Sequence, residues 1–505
     1  MILKIEEMIA AKRADCSGCE ACANICPKGA IEMTRDAEGF AYPKINPELC
    51  IQCGRCDATC PALNFKAKEI NSLPKVFAAI YEDEKILRHS SSGGIFSALS
   101  EIFLKSGGIV FGAGFDKNWR VVHTGAKNFD ELENLRGSKY VQSKIGDVYK
   151  KVQDALKSTN VLFSGVPCQC AGLKHFLGRD YENLLTVEII CHGVPSPALW
   201  ENYIDEFSYA HEITSVNFRS KRHGWASLLD INFADKEPIT IQTTKNLYGK
   251  LFLEGISERP SCSACKFKFP NGQSDLTLGD AWGVKDFLPE MYDSRGVSIV
   301  FVHTDKGKNF FEQANLKTQE IKFADAVKKN PRFLSPTVAD PRREKFFADL
   351  AKNADWFSVM QKYFEDDEKI LKETGKKNDA AFKKKFSDVL AQLKKNFAQN
   401  ILVVSSAREG TEQKNLEKFF EDGLTSCAVY FLQPTGYGQL VCTENFSDEK
   451  FDLKDTAALT DFAKQYKISA VCVEKPLNFG DDSSAIIDWL KTCDLPVKLF
   501  AQKTK

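Results

Sequence analysis

The chain has 505 residues, too many for one compact domain, and its 43% apolar content is ample for real cores. Lys+Arg and Asp+Glu both total 68, so net charge is near zero, which argues against nucleic acid as the main partner. No run approaches the roughly 18 to 20 apolar residues that span a bilayer, and MILKIEEMIAAKRADC lacks the apolar centre of a signal peptide, so the expectation is a cytoplasmic protein without a membrane span.

There are 17 cysteines, which in a reducing compartment point to metal binding rather than disulfides. The first sixty residues carry two copies of one motif. Cys16-x2-Cys19-x2-Cys22-x3-Cys26-Pro27 recurs 34 residues later as Cys50-x2-Cys53-x2-Cys56-x3-Cys60-Pro61. Three cysteines at two-residue gaps wrap three corners of a cuboidal cluster, and the fourth, before a proline, reaches the other cluster. The expected ligand sets are Cys16, Cys19, Cys22 and Cys60 for one 4Fe–4S cluster, and Cys50, Cys53, Cys56 and Cys26 for the second. Two zinc knuckles would also use eight thiolates, but the doubled Cys-Pro ending disfavours them.

From Val76 the texture changes. VFAAIY reads as a strand, and Ser90 to Ser92 with Gly93 and Gly94 open a helix whose apolar residues Ile95, Phe96, Leu99, Ile102 and Phe103 follow helical spacing. A Ser/Gly turn at a helix start suits an anion, although many helices begin this way without one. IVFGAGF is the next strand and leads to Trp119 and His123. LRGSKYVQSKIG then carries Arg136, Lys139 and Tyr140, either as a solvated turn or as cationic contacts to a phosphate or a reduced flavin.

The strand Val161-Leu162-Phe163 runs into a loop with Pro167, Cys168 and Cys170. The strand Leu185 to Ile190 runs into Cys191-His192-Gly193-Val194-Pro195. Two successive strands thus deliver a thiol to their C-terminal ends, the edge where α/β sheets build sites. FRSKRHGW packs Arg219, Lys221, Arg222 and His223 together, as a solvated turn or near an anion. SCSACKFKF adds Cys262 and Cys265, and SDLTLGDAWG is a strand ending at Gly279-Asp280. Cys168, Cys191, Cys262 and Cys265 are enough for a third 4Fe–4S cluster. His192 is either a donor to a cluster sulfide or backbone carbonyl, or the group that delivers a proton.

HSSSGGIFSAL, LRGSKYVQS, LFSGVPCQCAGLK, VEIICHGVPSP and CSACKF…SDLTLGDAWG together resemble the family of coenzyme F420 hydrogenase/dehydrogenase beta subunits, over roughly residues 1 to 345. That family is known for flavin and iron–sulfur proteins that pass electrons between ferredoxin-type clusters and an organic acceptor. The resemblance implies FAD or another flavin, with contacts from Ser91, Ser92, Gly93, Gly94, Lys139, Tyr140, Gly165 and Pro167. It also implies that Cys168 is a ligand and Cys170 packing, since relatives commonly carry an apolar residue at the latter. The rival reading makes Cys168 and Cys170 a reactive pair. Lys139 and His192 are the candidate catalytic residues.

Beyond Trp356 the chain is charged, Gly375 reads as a break, and Phe382, Phe386, Val389, Leu390, Leu393 and Phe397 form one apolar stripe. From Asn400, ILVVSS, AVYFL, LVCT, AVCVE and VKLF read as strands of a small open sheet, with Cys427, Cys442, Cys472 and Cys493 as core thiols. The expected fold is therefore a multidomain α+β and α/β chain. Residues 1-70 are a two-cluster ferredoxin-like domain, 71-350 a mixed α/β flavin and iron–sulfur domain, 351-399 a charged helical connector and 400-505 an α/β domain of unassigned role. The expected function is an iron–sulfur flavoprotein oxidoreductase working with ferredoxin or another redox protein and a small organic substrate. The alternatives are an electron-transfer subunit of a larger complex, or a reductase fused to a polysaccharide-biosynthesis domain.

Overall fold

Each cysteine repeat forms one short helix, Ala21–Ile25 and Arg55–Thr59, and between them the strands Ile31–Arg35 and Ala41–Ile45 pair as an antiparallel hairpin. The computed structural model describes residues 4–365, except Ala210, His223, Ala226, Ser227 and Ala354, and six strands beyond residue 400. These residues form two compact units: 4–68, 74–321 and 329–365 in one, and 69–73, 322–328 and the C-terminal strands in the other. Gly375, the stripe from Phe382 to Phe397, Cys427 and Cys493 lie outside the described residues. Among those described, no helix is long and apolar enough to cross a membrane.

The large unit is organised by an eight-stranded mixed sheet. Its order is Lys317–Ile321, Lys75–Ile80, Ser298–Val302, Leu276–Asp280, Leu184–Ile189, Val161–Gly165, Ile109–Phe115 and Val121–Ala126. The four strands from Leu276–Asp280 to Ile109–Phe115 run parallel. Lys75–Ile80 shares their direction, because two antiparallel pairings through Ser298–Val302 separate it from Leu276–Asp280. Five strands therefore end at one edge, and the helix Ile95–Lys105 follows the first of them. Val110, Leu162, Leu185, Val187, Leu276 and Val300 pack against that helix as buried core.

Two expectations about segments change. Pro167, Cys168 and Cys170 do not sit in a loop: the strand Val161–Gly165 leads directly into the helix Pro167–Leu177, with Pro167 in its first turn, where its missing N–H costs nothing. The boundary near residue 70 is not a break in packing either. Ile5, Met8, Phe40 and Tyr42 share one buried core with Trp200, Ile231, Tyr248 and Phe346. The helix Trp356–Glu365, at the start of the charged helical connector expected over 351-399, belongs to that core through Val359, Met360 and Tyr363.

Docking of the first repeat rests on polar contacts. Glu20 is buried, and its two carboxylate oxygens accept from the backbone N–H of Ile145 (2.9 Å) and Gly146 (3.0 Å). Burial pushes this carboxyl up, while the two amides pull it down. Asn24 adds a bond to the Gly146 carbonyl (2.8 Å), and Arg35 grips Glu201 with two N–H groups at 2.7 Å.

The second unit is a six-stranded sheet ordered Glu449–Asp452, Gln439–Thr443, Ala428–Pro434, Asn400–Val404, Ile468–Lys475 and Val497–Ala501. The last four of these run parallel. This is the open sheet expected from the apolar runs, plus the edge strand Glu449–Asp452, whose sequence EKFD carries no apolar run. Cys442 and Cys472 lie on its strands.

Replacing Glu20 by alanine leaves two buried amides without acceptors. Denaturant unfolding of the iron-replete variant should show a loss of about 1–3 kcal/mol.

Candidate functional site

Cys16, Cys19, Cys22 and Cys60 line one small cavity, floored by Ile5 and Met8. Cys26, Cys50, Cys53 and Cys56 line a second, beside Ile31 and Ile45. Each short helix joins the two. Ala21–Ile25 runs from Cys22 to Cys26, and Arg55–Thr59 from Cys56 to Cys60. Gly18, Glu20, Gln52 and Gly54 all take left-handed backbone (φ 67°, 61°, 53° and 69°), which turns successive N–H groups to one side, as anion-binding loops do. Burial pushes the Cys19 thiol up to about 12 and Cys56 to about 11, and holds Cys22 well above its ordinary value. Such thiols ionise only against a strong positive centre. Each cavity is walled by three thiols of one repeat and the fourth of the other, the donor set that the Cys-x2-Cys-x2-Cys-x3-Cys-Pro spacing gives a 4Fe–4S cluster.

Four further thiols surround a third cavity. Cys168 stands in the first turn of the helix Pro167–Leu177, Cys191 follows the strand Leu184–Ile189, and Cys262 and Cys265 come from the 3-10 helix Pro260–Ala264 and its end. Cys262 Sγ accepts from the Val194 N–H (3.4 Å), and Lys268 Nζ donates to the carbonyls of Cys191 and Arg332. Burial raises Cys191 to about 12, and Cys168 and Cys262 well above their usual range. Pro167 faces this cavity. The first and third cavities share Ser17, and Gly172 lets the helix approach Cys19: a Cβ there would lie 3.1 Å from Cys19 Sγ. Cys170 lines none of these cavities and is fully buried in the core.

A cavity of about 620 Å³ lies at the sheet edge. Its wall includes Cys191, His192, Gly193 and Val194, which also wall the third cysteine cavity. Ser91, Ser92, Gly94, Lys139, Tyr140 and Gly165 line it as well. Gly93 does not. Its N–H donates to Ser298 Oγ (2.9 Å), and a Cβ there would meet the Ala79 carbonyl at 2.4 Å, so this glycine serves contact with the sheet. Lys139 Nζ donates to the carbonyls of Asn134 (2.7 Å) and Arg136 (2.8 Å), and burial lowers its pKa to about 7. Tyr140 stacks on Phe252 at 4.9 Å between ring centres. His192 Nδ1 donates to the buried Glu258 carboxylate (2.7 Å), which fixes the ring against the shared wall.

Several lining residues were not paired by sequence reasoning. Arg219 donates to both oxygens of Asp280 (2.8 and 3.1 Å) and to Tyr140 Oη (3.3 Å), and its Nε is buried without a partner. Trp225 Nε1 donates to the same carboxylate, and its ring stacks on Trp282, over which the guanidinium lies at 5.3 Å. Lys221, beside it in sequence, donates to the carbonyls of Leu87 (2.6 Å) and Ser92 (2.7 Å). His123 bonds the Ser164 carbonyl through Nε2 (3.0 Å) and Ser143 Oγ through Nδ1 (2.9 Å), and burial holds its pKa near about 4. FRSKRHGW and the Asp280 strand end were visible signals, but 61 residues separate the partners. His223 lies outside the described residues.

The N-terminal model of "Coenzyme F420 hydrogenase/dehydrogenase, beta subunit" matches residues 76–150, its C-terminal model matches 158–329, and a 4Fe-4S dicluster domain matches 15–64. The chain belongs to this family of beta subunits. One component of the F(420)H(2) dehydrogenase of Methanosarcina mazei is 26% identical over 326 residues, covering 61% of this chain and 84% of the relative. The VorC component of a ketoisovalerate oxidoreductase from Methanothermobacter marburgensis is 35% identical over 54 residues, 10% of this chain and 68% of the relative. A chain of the F420-reducing [NiFe] hydrogenase complex from Methanosarcina barkeri aligns with a TM-score of 0.36 and 18% identity, covering 59% of this chain and 94% of that one. The family assignment makes this an iron–sulfur protein of oxidoreductase type.

Replacing Asp280 by alanine strips a buried guanidinium of its counter-ion. Equilibrium unfolding should register a loss of about 3–5 kcal/mol, larger than for any exposed ion pair of the unit.

Proposed function

We propose that the chain carries electrons between a redox protein that docks at the outer cysteine cavity and an organic acceptor in the large cavity, through three 4Fe–4S clusters and a flavin. The observation that carries this reading is the wall Cys191–Val194, common to a four-cysteine cavity and to a cavity large enough for a flavin ring. Bound clusters would supply one-electron transfer, and a bound flavin the conversion between one- and two-electron chemistry.

The residues present suit those groups. Cys168, Cys191, Cys262 and Cys265 would hold the third cluster. Arg136 and Lys139 supply positive charge to an anionic part of the cofactor, and the unpartnered Nε of Arg219 supplies a further donor. Tyr140 and Phe252 give an aromatic wall. With Nδ1 committed to Glu258, His192 has Nε2 left for the cavity, and we assign it the proton exchanged with the acceptor. Ile51 and Leu49 are half exposed or more around the exposed Cys53, so the second cavity is where a partner reaches the chain. The name of the Methanosarcina mazei relative favours a second reading, in which the chain is the electron-transfer subunit of a larger assembly and reduced coenzyme F420 is the electron donor at the large cavity.

Iron and flavin analysis of anaerobically purified protein tests the proposal. About twelve irons and one flavin per chain are expected, and Cys168→Ser should retain about eight irons. Wild-type protein with about eight irons and no flavin would overturn it. A pH titration tests the role of Lys139. Below about 7 the lysine is charged in the free protein; above it, binding an anion must take up a proton. Flavin affinity should therefore weaken as pH rises from 7 towards 9, by up to about tenfold per unit, and Lys139→Met should be weaker at pH 6 and lose the dependence.

A further inference from the structure

Arg259 is among the most deeply buried large side chains of the unit, with 1% exposure. It lies far in sequence from the first cysteine repeat yet is built onto it. Nε donates to the Cys16 carbonyl (2.8 Å), Nη2 to the Ala41 carbonyl (3.0 Å) and to Cys16 Sγ (3.8 Å), and Nη1 to Gln142 Oε1 (3.1 Å). The guanidinium also lies 4.2 Å from the centre of the Tyr42 ring. Its backbone belongs to the third cysteine cavity, since the Arg259 N–H donates to the Val194 carbonyl (2.9 Å) and the Cys262 N–H to the Arg259 carbonyl (2.9 Å).

The two repeats differ at the position this guanidinium occupies. Gly18 and Gln52 match each other 34 residues apart and share left-handed backbone, but a Cβ on Gly18 would lie 2.7 Å from Arg259 Nη1. Only the repeat with glycine can receive the arginine. Burial makes the first cavity the harder place to add an electron, because a reduced cluster carries more negative charge into a poorly solvated site. A fixed cation and an N–H···S contact oppose that. The outer cavity has its own cations, Lys28 and Arg55, but both side chains are exposed and screened by water.

We propose that Arg259 is a positioning residue for electron flow: it raises the reduction potential of the cluster held by Cys16, Cys19, Cys22 and Cys60, so that an electron passes inward from the exposed cavity. This rests on the cluster reading above, but not on the flavin. The test is an EPR-monitored redox titration of the full chain, with iron counted on the same samples. Arg259→Gln should lower one midpoint potential and leave the others in place, and Arg259→Lys, which keeps the charge, should recover most of the shift. Should Arg259→Gln shed iron, Gln142→Glu sets a carboxylate against the same guanidinium, and a lowered midpoint potential there supports the proposal. Unchanged potentials in iron-replete Arg259→Gln, or in Gln142→Glu, overturn it while leaving the clusters standing. Wild-type protein without iron would overturn the cluster reading itself.

Discussion

The large unit depends on how one cysteine repeat is held against the sheet. Two repeats with the same spacing are in principle interchangeable, yet the first makes polar contacts that the second does not repeat, at positions where the copies differ. Glu20 stands where the second repeat has Gly54, and Gly18 where it has Gln52, with the same left-handed backbone at all four. The turn geometry serves the repeat itself and so is common to both copies. The side chains serve the interface: Glu20 reaches the amides of Ile145 and Gly146, and the bare Gly18 admits Arg259. At the matched position beside these turns, Cys19 is buried while Cys53 is open to solvent.

That docking sets the order of the cavities. The outer cavity meets the inner one through two five-residue helices, the inner meets the third at Ser17, and the third meets the large cavity along Cys191–Val194. The sheet contributes by ending its parallel strands at one edge, so that residues remote in sequence reach one place without long loops. Val161–Gly165 and Leu184–Ile189 each lead to a thiol, and Leu276–Asp280 ends in the carboxylate that neutralises Arg219.

What could be read from the sequence divides by the range of the constraint. The grouping of the eight N-terminal cysteines was legible, with each fourth cysteine facing the other cavity, because the constraint is short in range and is written twice. Strands also read well where apolar runs are continuous, as in Val161-Leu162-Phe163. The helix Pro167–Leu177 did not: PCQCAGLKHFL has little amphipathic periodicity because most of it is buried, and proline in a first turn resembles a loop signal. Pairings such as Arg219 with Asp280 and His192 with Glu258 join residues 61 and 66 apart, and no local pattern encodes them. Gly93 was expected as a flavin contact, but it closes on the sheet at Ala79 and Ser298 rather than on the cavity.

The charge of the large cavity follows from the same principle of burial. Arg219 is permanently charged but already matched by Asp280, and His123 is held neutral across the physiological range. Lys139 lies between these cases, its ammonium satisfied by two carbonyls rather than a carboxylate, so its charge is conditional. A site for a constant polyanion would need unpaired guanidinium groups facing the ligand. Lys221, which donates to the Ser92 carbonyl, is lowered to about 7 by burial as well, so two amines beside the large cavity have conditional charge; under the proposed function they suit a group whose charge changes during use, since an electron taken up beside Lys139 would draw a proton onto it. Under the proposed function, the thiol cavities and the large cavity meet the same difficulty, negative charge in a poorly solvated place, by different means: a fixed guanidinium at Cys16, and at the sheet edge amines whose ionisation near neutrality follows the charge beside them.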